Sequence, residues 1–490
     1  MKKLSRREFI KAASAASGAA ILAACAPQAT PVPAQPTTQP PTAPPPTQKP
    51  AEAPTQAPQP TAAPTAKKPA GTVVVMHQRN ELSEDEQKKF EADNPGIKID
   101  FVQNDTTRRT AMFAAGTPPD FFRTGGGDVP IMLLRKQILD LTSYIQASPL
   151  IKVADLAPAN YQYFAEDAFH TGSGKIYGMA KDWSAAMTLF VNTEVLKAAG
   201  FEIPSDEKSL TYAQLGEMAR KCVKKQGDRT LVYGYGGDPI DWSPDTDVTS
   251  ILAEQSKSTP NPYVGVLYDE KYTKINLTNN EPARQVFKWF FDLQKEGVAN
   301  SPVNPSSEWT GKDFCDGKIA IVHEGYWFGQ QAGDSDAIKG KVKALPSARF
   351  FNTGKGFDWT TATGDMIAAA SKVPDAAFRV FEWYHAQEPG ITRAKGGWGV
   401  PALKSQYALM PSDTDFNKQR LKALNWELAN VDCQTSAPPN PWAPDYGFLN
   451  IWNKYLEPVL RGQGTFDDLL AKVETEISSL MLAAYKKWNP

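Results

Sequence analysis

The 490-residue chain is poor in the residues that build metal and disulfide sites. Its four histidines lie far apart, and neither HExxH nor CxxC occurs, so we predict no metal site and no cofactor. The chain has four cysteines, and the three that follow Cys25 (Cys222, Cys315 and Cys433) allow one disulfide at most. A fold built on disulfides is therefore excluded.

Charge of one sign and long apolar runs are also scarce. The formal net charge is −1, and no basic patch indicates binding to nucleic acid. The apolar run "AASAASGAAILAA" at 12–24 is too short and too rich in small residues to span about 30 Å of hydrocarbon permanently. We expect contact with a membrane only through an anchor.

Two short patterns at the N-terminus predict export and lipid attachment. Paired Arg6 and Arg7 in "SRREFIK" precede the apolar run and resemble a twin-arginine export signal. "LAAC" at 22–25 resembles the lipobox of bacterial lipoproteins, which implies cleavage before Cys25 and lipid on its sulfur. We predict a signal peptide over 1–24 and a lipoprotein on the outer face of the cell membrane, at the cell surface or in the periplasm.

A proline-rich segment separates Cys25 from the rest of the chain. From Ala26 to Ala70 almost every residue is Pro, Ala, Thr or Gln. This composition buries too little apolar surface to offset the entropy of ordering, and its prolines favour extended polyproline II. We predict that residues 25–70 form a disordered stalk.

The remaining residues, 71–490, are too many for one core and suit two lobes. "TVVVMH" at 72–77 and "IKIDFVQ" at 97–103 are typical of strands, and the helix between them opens on Ser83 and Glu86, a capping box. "PDFFRTGGG" at 119–127 carries a third strand into a glycine-rich loop. This order predicts an α/β fold with a parallel sheet and a ligand at the carboxyl ends of its strands.

Motifs of phosphate-binding and hydrolytic sites do not fit. "TGSGKIYG" at 171–178 lacks the spacing and the hydroxyl of a phosphate loop, and we interpret it as a glycine turn between two strands. No GxSxG elbow occurs. "DWSPDTD" at 241–247 does not fit an EF-hand loop and is interpreted as a solvated acidic loop.

Tryptophan is the informative residue type, and all twelve copies lie from residue 183 onward. Five stand in helical patterns that predict core packing: Trp289, Trp383, Trp426, Trp452 and Trp488. Six stand beside Gly, Pro or Asp in predicted loops: Trp183, Trp242, Trp327, Trp359, Trp398 and Trp442. Indoles in loops with carboxylates nearby (Asp182, Asp241, Glu324 and Asp358) are typical of a sugar site, since a sugar ring offers a C–H face and a rim of hydroxyls.

Five blocks of sequence, in order, resemble the extracellular solute-binding proteins of ABC importers, the family that includes maltose-binding protein. The blocks are "FEADNPGIKIDFV", "FAAGTPPDFFRTGGGDVPIMLLRKQILDLTSYI", "GSGKIYGMAKDWSAAMTLFVNTEVLKAAGFE", "DFCDGKIAIVHEGYWFG" and "AAFRVFEWYHAQEPGITRAKGGWGVPALKS". The resemblance implies two hinge-joined α/β lobes of the type II periplasmic-binding-protein fold around a ligand cleft. One lobe would hold 71–187 plus 345–397, and the other 188–344 plus 398–490.

The resemblance also implies a function and a set of ligand contacts. A monomeric receptor would capture a carbohydrate by cleft closure and deliver it, unchanged, to membrane permease subunits. The residues that match the family's site are His77, Gln78, Arg123, Thr124, Gly125, Asp182, Trp183, Tyr326, Trp327, Trp398, Trp442 and Tyr446. Trp242 joins them as a loop indole, and Trp359 and Asp365 stand where the family more often has glycine.

Two alternatives stay open from the sequence. A secreted sugar-cleaving enzyme would need two facing carboxylates, whose pairing is spatial and leaves no motif. The same receptor fold could instead take a polyamine, a peptide or a phosphorylated polyol, although only Arg79 and Arg123 are placed for a phosphate.

Overall fold

The computed structural model describes residues 69–236, 251–252, 267–351, 356–357, 360–432, 441–442 and 447–488. The predicted signal peptide lies outside these ranges, as does all but the end of the predicted stalk. Seven residues singled out above also lie outside the described residues: Cys25, Asp241, Trp242, Asp358, Trp359, Cys433 and Tyr446.

Helices and strands alternate along the described residues. The strands are β1 (Gly71–His77), β2 (Ile97–Gln103), β3 (Phe121–Gly125), β4 (Phe164–Ala165), β5 (Lys175–Ile176), β6 (Gly178–Ala185), β7 (Leu189–Asn192), β8 (Lys224–Gln226), β9 (Arg229–Val232), β10 (Ile321–His323), β11 (Val342–Leu345), β12 (Gly356–Phe357), β13 (Thr360–Ile367), β14 (Val400–Pro401) and β15 (Val431–Asp432). The α-helices are α1 (Glu84–Asp93), α2 (Thr106–Ala114), α3 (Val129–Leu134), α4 (Thr142–Ala147), α5 (Thr193–Ala198), α6 (Tyr212–Cys222), α7 (Glu281–Lys295), α8 (Thr310–Cys315), α9 (Phe328–Asp334), α10 (Pro374–Ala386), α11 (Glu388–Gly396), α12 (Asp415–Asn430), α13 (Phe448–Leu460) and α14 (Phe466–Trp488).

The larger sheet of the described residues has six strands in the order β14-β6-β13-β3-β1-β2. β1 pairs in parallel with both β2 and β3, which confirms the parallel sheet predicted for the N-terminal region. Helix α1 makes the crossover between β1 and β2, and Ser83 and Glu86 close its capping box as predicted. The cap satisfies backbone N–H groups at the start of α1 and fixes where this helix begins.

β13, from a distant part of the chain, pairs antiparallel with β3 on one side and with β6 on the other. Helix α10 covers β1, β3 and β13, and its Trp383 packs on Phe90 of α1 with the ring centroids 4.6 Å apart. The predicted glycine turn at 171–178 is confirmed, since β4 and β5 pair across it and Gly172 and Gly174 have φ of +95° and +90°.

A second sheet of three strands has the order β10-β7-β11, with both outer strands antiparallel to β7. The chain passes from the first sheet to the second between β6 and β7, and it returns between β11 and β13. β14, at Val400–Pro401, pairs with β6 of the first sheet, although the sequence prediction assigned these two residues to the second lobe. The lobe boundaries stay a prediction.

Aromatic packing joins helix α13 to helix α7. Trp452 of α13 is fully buried and stacks on Phe287 of α7 with the ring centroids 4.8 Å apart. Core packing, which we predicted for five tryptophans, is confirmed for Trp452 and Trp383, while the other three are partly buried. No helix in the described ranges is both long enough and apolar enough to cross a membrane.

Removal of the Trp452 indole should leave a large cavity between α7 and α13. We expect Trp452→Ala to lower the free energy of unfolding by about 3–5 kcal/mol, the range for buried Trp and Phe truncations. The matched control is Leu482→Ala, because Leu482 on α14 is 40% exposed. Urea unfolding checks both variants, and equal losses would contradict the assignment of Trp452 to the core.

Candidate functional site

The strand register aligns two predicted residues, Gly125 and Asp182, in one row across the six-stranded sheet. Thr363 of β13 pairs with Gly125 on one side and with Asp182 on the other, and Asp182 pairs with Pro401. A β-bulge shifts the register of β13 between Thr363 and Gly364. Bulges redirect side chains, and this one lies beside the end of β3.

Four charged side chains form a connected ion cluster at this row. Arg123 donates from Nε and Nη2 to the two carboxylate oxygens of Glu81 at 2.8 and 3.2 Å. Lys181 Nζ lies 3.2 Å from Glu81 Oε1 and 2.6 Å from Asp182 Oδ2, so it is shared between two carboxylates. Burial alone would raise the pKa of Glu81, but Lys181 and Arg123 outweigh burial and lower that pKa to about 2.

His77 and Asp365 are fully buried beside the ion cluster, whose own side chains are 7–18% exposed. The Gln78 backbone N–H donates to His77 Nδ1 at 2.9 Å, so the ring proton is on Nε2, which lies 3.1 Å from Asp365 Oδ1. His385 Nε2 lies 3.2 Å from the other oxygen, Oδ2. Burial would raise the pKa of Asp365, but the two histidines hold it well below its usual range. This group orders the strand ends and offers no exposed surface to a ligand.

Trp327 and Trp309 form a pair of partly exposed indoles that reaches β6. Their ring centroids are 6.2 Å apart and the ring planes differ by 20°. The Trp327 backbone N–H donates to Ser184 Oγ at 3.0 Å, which fixes this loop against the last residues of β6. Trp309 is 37% exposed. The two partly exposed indoles offer apolar surface to a ligand.

Trp398 lies on a second loop next to the ion cluster and is 44% exposed. A Cβ added to Gly399 would lie 3.0 Å from Asp182 Cβ, so this loop passes directly over Asp182. The buried Arg420 donates to the Gly397 carbonyl oxygen at 3.1 Å, and its Cζ lies 4.9 Å from the ring centroid of Tyr326. Arg420 therefore ties the Trp398 loop to the Trp327 loop.

Among the other predicted residues, Gln78 is partly buried and donates its backbone N–H to His77. Four more are buried and make packing contacts. Trp183 donates from Nε1 to the Pro401 carbonyl oxygen at 3.2 Å, and Trp442 donates to the Tyr272 carbonyl oxygen at 2.9 Å. Thr124 donates from its hydroxyl to the carboxylate of Asp128. Tyr326 lies under Arg420 with 1% of its surface exposed. We leave these four out of the proposed contact residues.

Sequence reasoning missed Trp309, Glu81, Lys181 and Arg420. For Trp309 a local signal exists, because glycine stands two positions from each of the three exposed indoles. A Cβ added to Gly311, Gly325 or Gly396 would lie 2.1, 2.5 or 3.0 Å from an atom of the Trp309, Trp327 or Trp398 ring. Each indole thus lies against a glycine and occupies space that the Cβ of any other residue would need.

The chain matches a known protein family. The family described as bacterial extracellular solute-binding protein matches residues 78–389, well over half of the chain. The chain belongs to this family. The resemblance predicted from the sequence is therefore confirmed, while the signal peptide stays a prediction.

Solved structures of other solute-binding proteins share the fold. An ABC substrate-binding protein of Listeria monocytogenes in complex with cycloalternan has a TM-score of 0.67 at 21% identity, over 84% of this chain and 98% of that one. A Thermotoga lettingae solute-binding protein bound with α-D-tagatose has a TM-score of 0.65 at 15% identity, over 84% and 100%. An Agrobacterium vitis solute-binding protein with bound D-mannitol has 0.64 at 18%, over 84% and 99%. A search of curated proteins gives no significant match.

These likenesses confirm the predicted mixed α/β, two-lobed fold of periplasmic binding proteins. Both the family and the similar structures are described as binding proteins rather than as enzymes. In this fold the crossing between β6 and β7 joins the two sheets, and the ion cluster and the loops of Trp327 and Trp398 all contact β6 just before it.

The ion cluster predicts a defined pH dependence of stability. The pKa of Glu81 falls from an ordinary 4.5 to about 2 on folding, so its contribution is complete above about pH 5 and is lost as the pH falls toward 2. We expect Glu81→Gln to cost on the order of 3 kcal/mol near neutral pH, with the difference from wild type shrinking between about pH 5 and pH 2.

Denaturant unfolding of both proteins at several pH values measures this difference. Glu202→Gln is the matched control, since Glu202 is exposed, and it should track wild type at every pH. A loss at Glu81 that does not change with pH would mean that the carboxylate charge is not what stabilises the site.

Proposed function

We propose that this chain is the carbohydrate receptor of an ABC importer, capturing a sugar by closure of its cleft and delivering it to a permease. One observation carries the proposal. The partly exposed indoles of Trp327 and Trp398, each held against a glycine, lie on loops that contact β6 near the charged side chains of Lys181 and Asp182.

The chemistry of this arrangement suits a sugar ring. An indole face packs on the C–H face of the ring, and ammonium and carboxylate groups exchange hydrogen bonds with its hydroxyls. The cations and carboxylates already neutralise one another, so a neutral polyhydroxylated ligand is favoured over a phosphate or a polyamine. The sugars and the sugar alcohol named for the three similar structures support this choice.

Binding rather than cleavage is the activity that the cluster favours. A glycosidase needs a carboxylic acid that is protonated near neutral pH, with a second carboxylate facing it. Glu81 has its pKa lowered to about 2, and it shares Lys181 with Asp182, which keeps the pair bridged by a cation. The sugar would therefore be released without any chemical change.

Transport follows from the differential affinity of the ligand for the closed state, because a ligand shifts an equilibrium only by that difference. In this proposal residues 71–187 with 345–397 and residues 188–344 with 398–490 move as the two lobes. The chain acts as a monomer on the outer face of the membrane, held by lipid on Cys25, with residues 25–70 as the spacer.

A thermal unfolding panel tests the proposal directly. We expect one or more mono- or oligosaccharides to raise the melting temperature of the chain by several degrees, since a ligand at 100 times its Kd stabilises by about 2.7 kcal/mol. The sugar should be recovered unchanged. A response to glycerol phosphates or polyamines without any response to sugars would overturn the carbohydrate assignment, and consumption of the sugar would make the protein an enzyme.

Substitution of Trp327 should weaken the binding of any responding sugar. We expect Trp327→Ala to raise its Kd roughly thirtyfold, the effect of losing about 2 kcal/mol of aromatic contact. Isothermal titration measures the change. Tyr161→Ala is the control, because Tyr161 is 45% exposed and lies outside the site, and a similar loss in that variant would remove the special role of Trp327.

A further inference from the structure

Arg420 of α12 is fully buried, and the three acceptors of its guanidinium are all neutral. Nε donates to Asn417 Oδ1 at 3.0 Å, Nη1 to the Gly397 carbonyl oxygen at 3.1 Å, and Nη2 to Gln330 Oε1 at 3.3 Å. A charge buried among neutral acceptors costs folding free energy, and the ring of Tyr326 beside it offsets only part of that cost. Stability alone therefore does not explain an arginine at this position.

Helix α12, which carries Arg420, is fixed to the second sheet. Gln419 accepts from the Ala344 backbone N–H at 3.0 Å and donates to the carbonyl oxygen of the same residue at 2.7 Å, so it pairs with the outer strand β11. Further along the helix, Glu427 accepts from the Ser347 backbone N–H at 2.8 Å. Gln330 lies on α9, which packs on the same strand. The guanidinium is therefore held from the side of the second sheet.

Gly397, by contrast, is fixed to the first sheet. It caps the end of helix α11, which packs on α10, and α10 covers β1, β3 and β13. After Gly397 the chain enters β14 at Val400, which pairs with β6. The hydrogen bond from Arg420 to Gly397 therefore joins a side chain held by the second sheet to backbone held by the first.

Glycines leave the space that the guanidinium occupies. A Cβ added to Gly397 would lie 2.3 Å from Arg420 Nη2, and one added to Gly329 would lie 2.8 Å from Arg420 Nη1. Gly397 also has a φ of +70°, which residues other than glycine rarely adopt. The backbone on both sides is thus shaped to receive one rigid, planar group with several donors.

Both indoles of the proposed sugar site stand next to these contacts. Trp398 directly follows Gly397, and Trp327 directly follows Tyr326, whose ring centroid lies 4.9 Å from Arg420 Cζ. Arg420 itself is 0% exposed, so it does not face a ligand. Any effect of Arg420 on binding must therefore act through the positions of the two indoles.

We propose that Arg420 is a positioning residue of the sugar site, which fixes the Trp398 loop of the first sheet relative to the Trp327 loop of the second. The proposal rests on the carbohydrate function proposed above and adds a determinant of affinity that does not contact the sugar. A sugar that contacts both indoles binds more tightly when their separation is set beforehand, because ordering the two loops on binding would cost affinity.

Isothermal titration of the full chain tests this role. The sugars are cycloalternan, α-D-tagatose and D-mannitol, together with the mono- and oligosaccharides of the thermal unfolding panel. We expect Arg420→Met to raise the Kd of a sugar that binds by about tenfold. Arg420→Lys should raise it by about threefold, because an ammonium keeps a donor but cannot serve three acceptors in one plane.

Arg379→Met is the matched control. Arg379 also donates from all three kinds of guanidinium nitrogen, to Asn94, Glu382 and Gln387. These acceptors all lie on or beside α1 and α10, which pack on the first sheet, so this arginine joins no part of the second sheet to the first. Arg379→Met should bind sugar with the wild-type Kd.

A double-mutant cycle with Trp398→Ala separates positioning from folding. If Arg420 acts through the indoles, Arg420→Met should change the Kd by less than about threefold once the Trp398 indole is absent. A purely structural role would give the same loss of affinity in both backgrounds. If Arg420→Met does not fold, Arg420→Lys takes its place in both comparisons.

Two results would overturn the positioning role and leave the receptor intact. One is a wild-type Kd in the folded Arg420 variants, and the other is an equal loss in the two backgrounds of the cycle. Binding of no sugar by wild type would instead remove the proposed function and the positioning role together.

Discussion

Strand β6 is the element on which the site depends. All eight of its residues are buried, and it pairs with β13 on one side and β14 on the other. From this strand Lys181 bridges two carboxylates, Asp182 supports the Trp398 loop, and Ser184 accepts the backbone N–H of Trp327. The chain then crosses at once into the second sheet. Any displacement of β6 would therefore move the charges and both indole loops together.

The charged and aromatic parts of the site are held by the protein itself before any ligand arrives. Arg123, Lys181 and their carboxylates satisfy one another, and Arg420 donates to the neutral oxygens of Gly397, Asn417 and Gln330. Each exposed indole lies against a glycine. Side chains already ordered in this way lose little conformational entropy on binding, which leaves more of the contact energy for affinity.

Periodicity and local rules predicted the parts of the fold that depend on neighbours in sequence: the β1–α1–β2 unit, the Ser83–Glu86 cap and the glycine turn at 171–178. They failed where a distant segment decides burial. Trp442 stands between prolines in a loop pattern, yet it is buried. Its indole N–H donates to the carbonyl oxygen of Tyr272, 170 positions away in the sequence. The same holds for Lys181 of β6, whose partner Glu81 lies on the loop between β1 and α1, and for Arg420, whose contacts lie on two loops. Trp309 could have been found from the glycine at 311.

The most direct test of the proposed sugar site is ¹⁹F NMR of the chain labelled with 5-fluorotryptophan and titrated with a sugar that stabilises the protein. Single Trp→Phe variants assign the signals. We expect the resonances of Trp327, Trp398 and Trp309 to shift on saturation, while those of the buried Trp452 and Trp442 stay in place. If the resonances of Trp327 and Trp398 do not shift at saturation, the proposed site is wrong, because the sugar then binds away from the indoles that define it.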